Sequence, residues 1–308
     1  MIIPGIKIGP FKDNWRKLLA ITQTPYCEIW YRADQPEEYT SMFEVLRQKK
    51  IKVGLHFWAT VGEGHLANLA YPESKILEPT LKLVEEVIHT ACHNHFSYVL
   101  VHSGNRRAFL VDFEKRHAEI DGLYPEISVE EAETTQETSL TGLNQVAKKL
   151  GVLLITETVP AKDPKPWDTQ AGRLNPHENL PVPVASLIKL SQKGFYIAND
   201  FIHTFCDGFD KPREELVKQL FANTKLMAPM TKVLHVNSVI PPYNGTDSHH
   251  GITDEDLATD GIVPTKPELL NLLKLFINQP EEVLAIVEPQ REPVANYIAL
   301  QKIISQLS

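Results

Sequence analysis

Several features are scarce in this 308-residue chain, and each scarcity removes a class of answer. The three cysteines, Cys27, Cys92 and Cys206, are widely separated and odd in number, which suggests neither a disulfide framework nor a cysteine-based zinc finger. No apolar run approaches the roughly 20 residues that span a bilayer. The start, Met1-Ile2-Ile3-Pro4-Gly5-Ile6-Lys7, lacks the layout of a signal peptide, so a cytoplasmic address without a membrane partner is expected. Basic residues are outnumbered, 31 Lys and Arg against 39 Asp and Glu, and the formal charge of −8 argues against a general affinity for nucleic acid. Two or three bound divalent ions would, however, cancel roughly 4 to 6 of those charges where a ligand docks. What remains, 43% hydrophobic and 23% charged residues with no low-complexity stretch or short repeat, is the make-up of an ordinary globular protein.

Short β-rich apolar runs recur, each followed by a stretch with helical spacing, the pattern of repeated βα units and a parallel sheet. Strands are expected at 5–9, 26–31, 52–57, 98–102, 152–156, 195–198, 232–236 and 283–287. Helices are expected at 39–49, 76–95, 137–150, 183–192, 213–223, 266–277 and 293–306. Eight such units point to one α/β domain over 1–308, a closed (β/α)₈ TIM barrel, more than to an open sheet. Three connections, 103–136, 158–183 and 237–266, are too long to be plain turns. All follow strands, which places them on the face where such barrels keep their active sites.

Metal-capable residues end successive strands or lie just beyond them: His56, His102, Glu157, Asp200, His235 and Glu288. One such residue is usually a structural cap. Six on one rim would repel or go unpaired unless a cation or a proton network joined them. Two local patterns add to the set. In Asn199-Asp200-Phe201-Ile202-His203 the Asp and His are three apart and can share one side of a turn; in Asp247-Ser248-His249-His250-Gly251 an extended Asp-x-His would put both ligands on one face, unless it is merely an Asx turn with surface histidines.

The segment Asp200-Phe-Ile-His203-Thr-Phe-Cys-Asp-Gly208-Phe-Asp210 resembles the Asp-x-x-His…Gly-Tyr-Asp signature of the endonuclease IV family of apurinic/apyrimidinic endonucleases, within the xylose-isomerase-like barrels. Other blocks agree in order: Val101-His102-Ser-Gly104, Glu157-Thr, His235-Val-Asn-Ser, Asp247-Ser-His249-His250 and Val287-Glu288-Pro, with His65-Leu-Ala-Asn68-Leu69-Ala-Tyr71-Pro72 upstream. The resemblance runs from about residue 50 to the end of the chain and implies a trinuclear zinc site. One ion would use Asp200, His235 and Glu288 with Glu157 bridging; a second, His203, Asp247 and His249; a third, Glu157, His102 and a histidine whose place Tyr71 takes. That third site would be weak or empty, or would recruit His65 or His56. The family's DNA-inserting stretch is absent: Arg32-Ala-Asp-Gln-Pro36 stands in its place.

The resemblance implies a Zn²⁺ phosphodiesterase acting on DNA with an abasic site, Mn²⁺ being an alternative ion, in which Glu157 orients a hydroxide. Arg106, Arg107 and Arg173, with Lys115, Arg116, Lys162 and Lys165, would then contact phosphates from the long loops. The competing expectation is a sugar isomerase or epimerase of the xylose-isomerase type on a small sugar substrate. It needs one metal on Glu157, Asp200, His235 and Glu288, with Glu157 and Glu288 moving protons beside a carbonyl. The acidic charge and Tyr71 lean toward the isomerase, and the extra Asp-x-His pair leans toward the endonuclease.

Overall fold

The structure, a computed structural model, describes residues 1–9, 14–49, 51–163, 176–289 and 291–307. Each of the eight expected strands forms: β1 (Ile2–Ile8), β2 (Tyr26–Arg32), β3 (Lys52–Trp58), β4 (Tyr98–His102), β5 (Leu153–Glu157), β6 (Tyr196–Asp200), β7 (Thr231–Val236) and β8 (Val283–Val287). They are parallel, each beside the next in chain order, and β8 closes on β1 with Ile2 opposite Val283 and Ile6 opposite Val287. Runs such as Val-Leu-Ala-Ile-Val in β8 are apolar throughout because strands under a helical coat are buried on both faces.

Side-chain alternation divides each strand. One set, including Cys27, Ile29, Val53, Leu55, Val99 and Leu234, packs with the helices in the main core. The other, including Tyr26, Tyr98, Leu100, Ile155, Val233 and Ile286, forms a separate plug inside the barrel. Gly54 makes room for this plug, since a Cβ there would lie 1.9 Å from Tyr98 Cζ. The barrel is therefore filled below the ionisable groups at its mouth.

Helices surround the strands at Asn14–Thr22, Thr40–Lys49, Ser74–His93, Val129–Leu150, Val184–Gln192, Arg213–Met227, Lys266–Lys274 and Pro293–Ser305. The helix expected from 137 starts at Val129, because the Ser128 hydroxyl caps it by accepting from Glu131 N–H; Gly151, at φ 70°, ends it. The first helix, with Trp15, Leu18 and Leu19 on one side, was not among those expected. No helix among the described residues is long and apolar enough to cross a membrane. The connection 103–136 holds an antiparallel hairpin, Phe109–Asp112 with His117–Ile120, in a four-stranded sheet with Thr60–Val61 and His65–Leu66.

Candidate metal centre

Every barrel strand delivers an ionisable side chain to the mouth: Lys7 from β1, Glu28 from β2, His56 from β3, His102 from β4, Glu157 from β5, Asp200 from β6, His235 from β7 and, just past β8, Glu288. His203 sits on the short helix Phe201–Cys206, where Asp200 Oδ1 accepts from Ile202 N–H at 2.7 Å and His203 N–H at 3.0 Å. This cap leaves Asp200 Oδ2 turned toward His203 Nε2, 3.8 Å away.

His235 is the hub. Its Nδ1 lies 2.6 Å from Glu157 Oε1, 3.1 Å from Glu288 Oε2 and 3.9 Å from Asp200 Oδ2, while its Nε2 lies 2.9 Å from Glu28 Oε1. Ligand atoms of Glu157, Asp200, His235 and Glu288 all fall within 4.8 Å of one another. The same holds for His203, Asp247 and His249, for His56, His102 and Glu157, and for Glu28, His56, His235 and Glu288. Asp247 Oδ2 is 3.1 Å from His203 Nε2 and 3.0 Å from His249 Nε2.

Burial of so much charge is tolerated only through mutual compensation. Burial opposes the positive charge on His235, but Glu157 and Glu28 outweigh it and hold its pKa well above the ordinary value. Burial likewise opposes charge on His203 and His249; Asp200 and Asp247 lift the first to about 10, and Asp247 lifts the second to about 9. Burial works against ionised Glu157 and Glu288 too, yet His235 beside the former and Lys7 beside the latter keep both below the usual carboxylate range. Burial and the neighbouring Lys7 push His56 down to about 4, so it is neutral and its Nδ1 accepts from Lys7 Nζ. Lys7 Nζ also pairs with Glu288 Oε1 at 2.6 Å and Glu28 Oε1 at 3.1 Å.

The donor set suits a divalent cation. Fully buried Glu157 Oε2 accepts no hydrogen bond from the described residues, although His56 Nε2 and His102 Nε2 stand 3.2 and 3.4 Å from it. The two imidazoles face each other with 3.1 Å between their Nε2 atoms, a buried carboxylate oxygen beside them lacks a well-placed donor, and mixed imidazole and carboxylate donors suit Zn²⁺ or Mn²⁺.

Other residues singled out from the sequence have definite places. Tyr71 OH donates to Pro125 O at 2.7 Å, and His65 Nε2 pairs with Asp121 at 2.9 Å and joins none of the converging groups among the described residues. His56, not His65, joins His102 and Glu157. The Asp247–His249 segment is an Asx turn, with Asp247 Oδ1 accepting from His249 N–H and His249 at φ 41°; the turn aims both side chains at His203 instead of at solvent. Arg106 and Arg107 share Glu126, at 2.5 and 3.2 Å. Arg173 and Lys165 lie outside the described residues.

Lys7 and Glu28 escaped sequence reading, though a trace of them was present. Ile6-Lys7-Ile8 and Cys27-Glu28-Ile29 each place a charge in the middle of an apolar strand, where alternation turns it into the barrel. Asn237, in His235-Val-Asn-Ser, was also missed; its Nδ2 donates to Asp200 Oδ2 at 3.3 Å.

Above the cluster lies a cleft of about 800 Å³ whose walls include Trp30, Trp58, Phe109, Val111 and Phe113. Neither a protein-family model nor a curated protein sequence matches the chain. Solved structures do. A D-allulose 3-epimerase from Methylomonas sp. aligns over 100% of this chain and 98% of its own, with TM-score 0.62 and 10% identity. A D-psicose 3-epimerase from Clostridium cellulolyticum aligns over 98% and 91%, with TM-score 0.56 and 10% identity. Endonuclease IV from Thermus thermophilus aligns over 99% and 98%, with TM-score 0.54 and 13% identity. Likeness at such identities speaks for architecture and not for chemistry: the chain has the (β/α)₈ TIM-barrel fold that these structures share.

Proposed function

We propose that the chain is a metal-dependent isomerase or epimerase of small carbohydrates, with a divalent ion held by Glu157, Asp200, His235 and Glu288. The observation that carries this is the convergence of those four ligand atoms, two of them from glutamates that line the cleft. When bound there, Zn²⁺ or Mn²⁺ polarises a carbonyl as a Lewis acid. Glu157 and Glu288, both kept ionised by their neighbours, are the bases that take a proton from the carbon beside the carbonyl and return one. Apolar cleft walls exclude water while the proton is in transit. Two of the structural neighbours are sugar 3-epimerases, so a barrel of this architecture carries such chemistry elsewhere.

The test is proton exchange. Metal-loaded protein is incubated with a panel of aldoses and ketoses in D₂O, and deuterium incorporation beside the carbonyl is followed by NMR. Exchange lost in Glu157→Gln and Glu288→Gln is the expected result; no exchange with any sugar by metal-replete protein would overturn the proposal.

Phosphodiester cleavage at abasic sites is a second possibility, favoured by one observation, the His203, Asp247 and His249 set that a one-metal isomerase does not need. Incision of duplex DNA 5′ to an abasic site, with at least two ions bound per chain, would establish it in place of the isomerase.

A further inference from the structure

Two groups of metal-capable residues share His235 and Glu288. One adds Glu157 and Asp200, the centre proposed above; the other adds Glu28 and His56. Each shared residue turns one atom to each side. His235 Nδ1 faces Glu157, Asp200 and Glu288 Oε2, while its Nε2 lies 2.9 Å from Glu28 Oε1. Glu288 Oε2 is the oxygen near Nδ1, and its Oε1 meets Lys7 Nζ at 2.6 Å.

The second group already holds a cation. Lys7 and Glu28 stand directly opposite in the register of β1 and β2, so both side chains turn into the barrel. There Lys7 Nζ meets Glu288 Oε1, Glu28 Oε1 at 3.1 Å and His56 Nδ1. An ammonium has three N–H groups and no acceptor. Three acceptors meet this one among the described residues, each from a different member of the group. The Lys7 and Glu28 side chains are 10% and 0% exposed, so little solvent reaches the pair. A divalent ion entering between Glu28, His56 and Glu288 would compete with the ammonium for the same atoms, and like charges that close repel strongly in a buried site.

We propose that Lys7 is a built-in cation standing where a second metal ion would otherwise sit, between Glu28, His56 and Glu288. It thereby confines divalent metal to the Glu157 and Asp200 side of His235. Lys7 acts through Glu28 and Glu288, as a positioning residue. Its ammonium is a compact point charge with no vacant orbital to accept a carbonyl oxygen, so His235 and Glu288 serve one Lewis-acidic ion and not two. This role of Lys7 rests on the metal reading of the Glu157, Asp200, His235 and Glu288 centre, and is independent of the carbohydrate substrate.

The test counts ions. Chelator-treated wild type and Lys7→Ala, which removes the ammonium and leaves room for an ion, are saturated with Mn²⁺, and the ions bound per chain are measured by calorimetric titration and by elemental analysis after gel filtration. Lys7→Ala should bind one ion more than the wild type. Adding Glu28→Gln to Lys7→Ala should return the count to the wild-type value at saturating metal. An unchanged count in folded Lys7→Ala, or an extra ion that persists in the double variant, would overturn the proposal. If Lys7→Ala does not fold, anomalous diffraction from wild-type crystals grown in excess Mn²⁺ decides. An ion on the Glu157 and Asp200 side, with Lys7 still joining Glu28 to Glu288, supports the proposal; an ion between Glu28, His56 and Glu288 overturns it. Failure here is separable from failure of the metal centre: no ion bound by either protein removes the centre and the role of Lys7 together, whereas ions in the wild type without a gain in Lys7→Ala remove only the role of Lys7.

Discussion

Loading the chelator-treated protein with Mn²⁺ or Zn²⁺ at successive pH values probes the centre through its protons. At pH 7.5 His235, His203 and His249 are all protonated, because their carboxylate neighbours raise their pKa values, to about 10 for His203 and about 9 for His249. An imidazole must lose its proton before it can ligate. An ion on Glu157, Asp200, His235 and Glu288 therefore displaces one imidazole proton, and an ion on His203, Asp247 and His249 displaces two. A raised pKa favours the protonated, metal-free form at low pH, so affinity strengthens as pH rises and levels off once the folded-state pKa is passed. The first ion should gain about tenfold per pH unit, about 1.4 kcal/mol, and the second about a hundredfold. Calorimetry in buffers of different ionisation enthalpy counts the protons directly. One proton with one ion supports the isomerase centre; three protons with two ions means that both sets fill. A count of zero, with affinity flat between about pH 6.5 and 8.5, would refute the linkage of imidazole charge to metal binding.

The metal-free protein should also show its charge network in thermal scans. The stabilisation from His203 and His249 is complete below their unfolded value of 6.5 and is lost as pH climbs through about 9 to 10, whereas that from Glu28, Glu157 and Glu288 is present above the ordinary 4.5 and is lost on acidification. The melting temperature should therefore peak between about pH 5 and 6.5, and a flat profile would contradict the network. Glu28→Gln removes the carboxylate that orients His235 through Nε2, and titration should show metal affinity falling about 10- to 100-fold with Glu157, Asp200, His235 and Glu288 untouched. Glu157→Gln and Glu288→Gln should each lower solvent-hydrogen exchange by about 10²- to 10⁴-fold while near-ultraviolet circular dichroism stays native. Gly54→Ala drives a methyl group into the Tyr98 ring, whose hydroxyl donates to Glu28 at 2.9 Å; urea unfolding should show a loss of about 1–3 kcal/mol.

Most of the barrel was legible locally, because each strand reads as an apolar run and each following helix as a three-and-four repeat. The ligands at strand ends were legible for a related reason: a βα barrel brings the last residues of all its strands to one rim, so His102, Glu157 and Asp200 needed no long-range information. Lys7 and Glu28 were harder, since a charge in a strand has no visible partner until the barrel closes and sets Lys7 against Glu288 and Glu28 against His235, 281 and 207 residues away. Sequence position also misled. Tyr71 and His65 align with a metal motif, yet the chain after β3 enters a small sheet that ties His65 to Asp121 and packs Tyr71 under Pro125, while His56 supplies the imidazole instead. By itself, then, the sequence determined the eightfold strand–helix alternation and the inventory of ligands on one rim, because both follow from local periodicity. Tertiary structure alone decided which ligands converge, which arginines pair with Glu126 and that an aromatic hairpin walls the cleft, because each depends on side chains meeting across loops whose course no local pattern specifies.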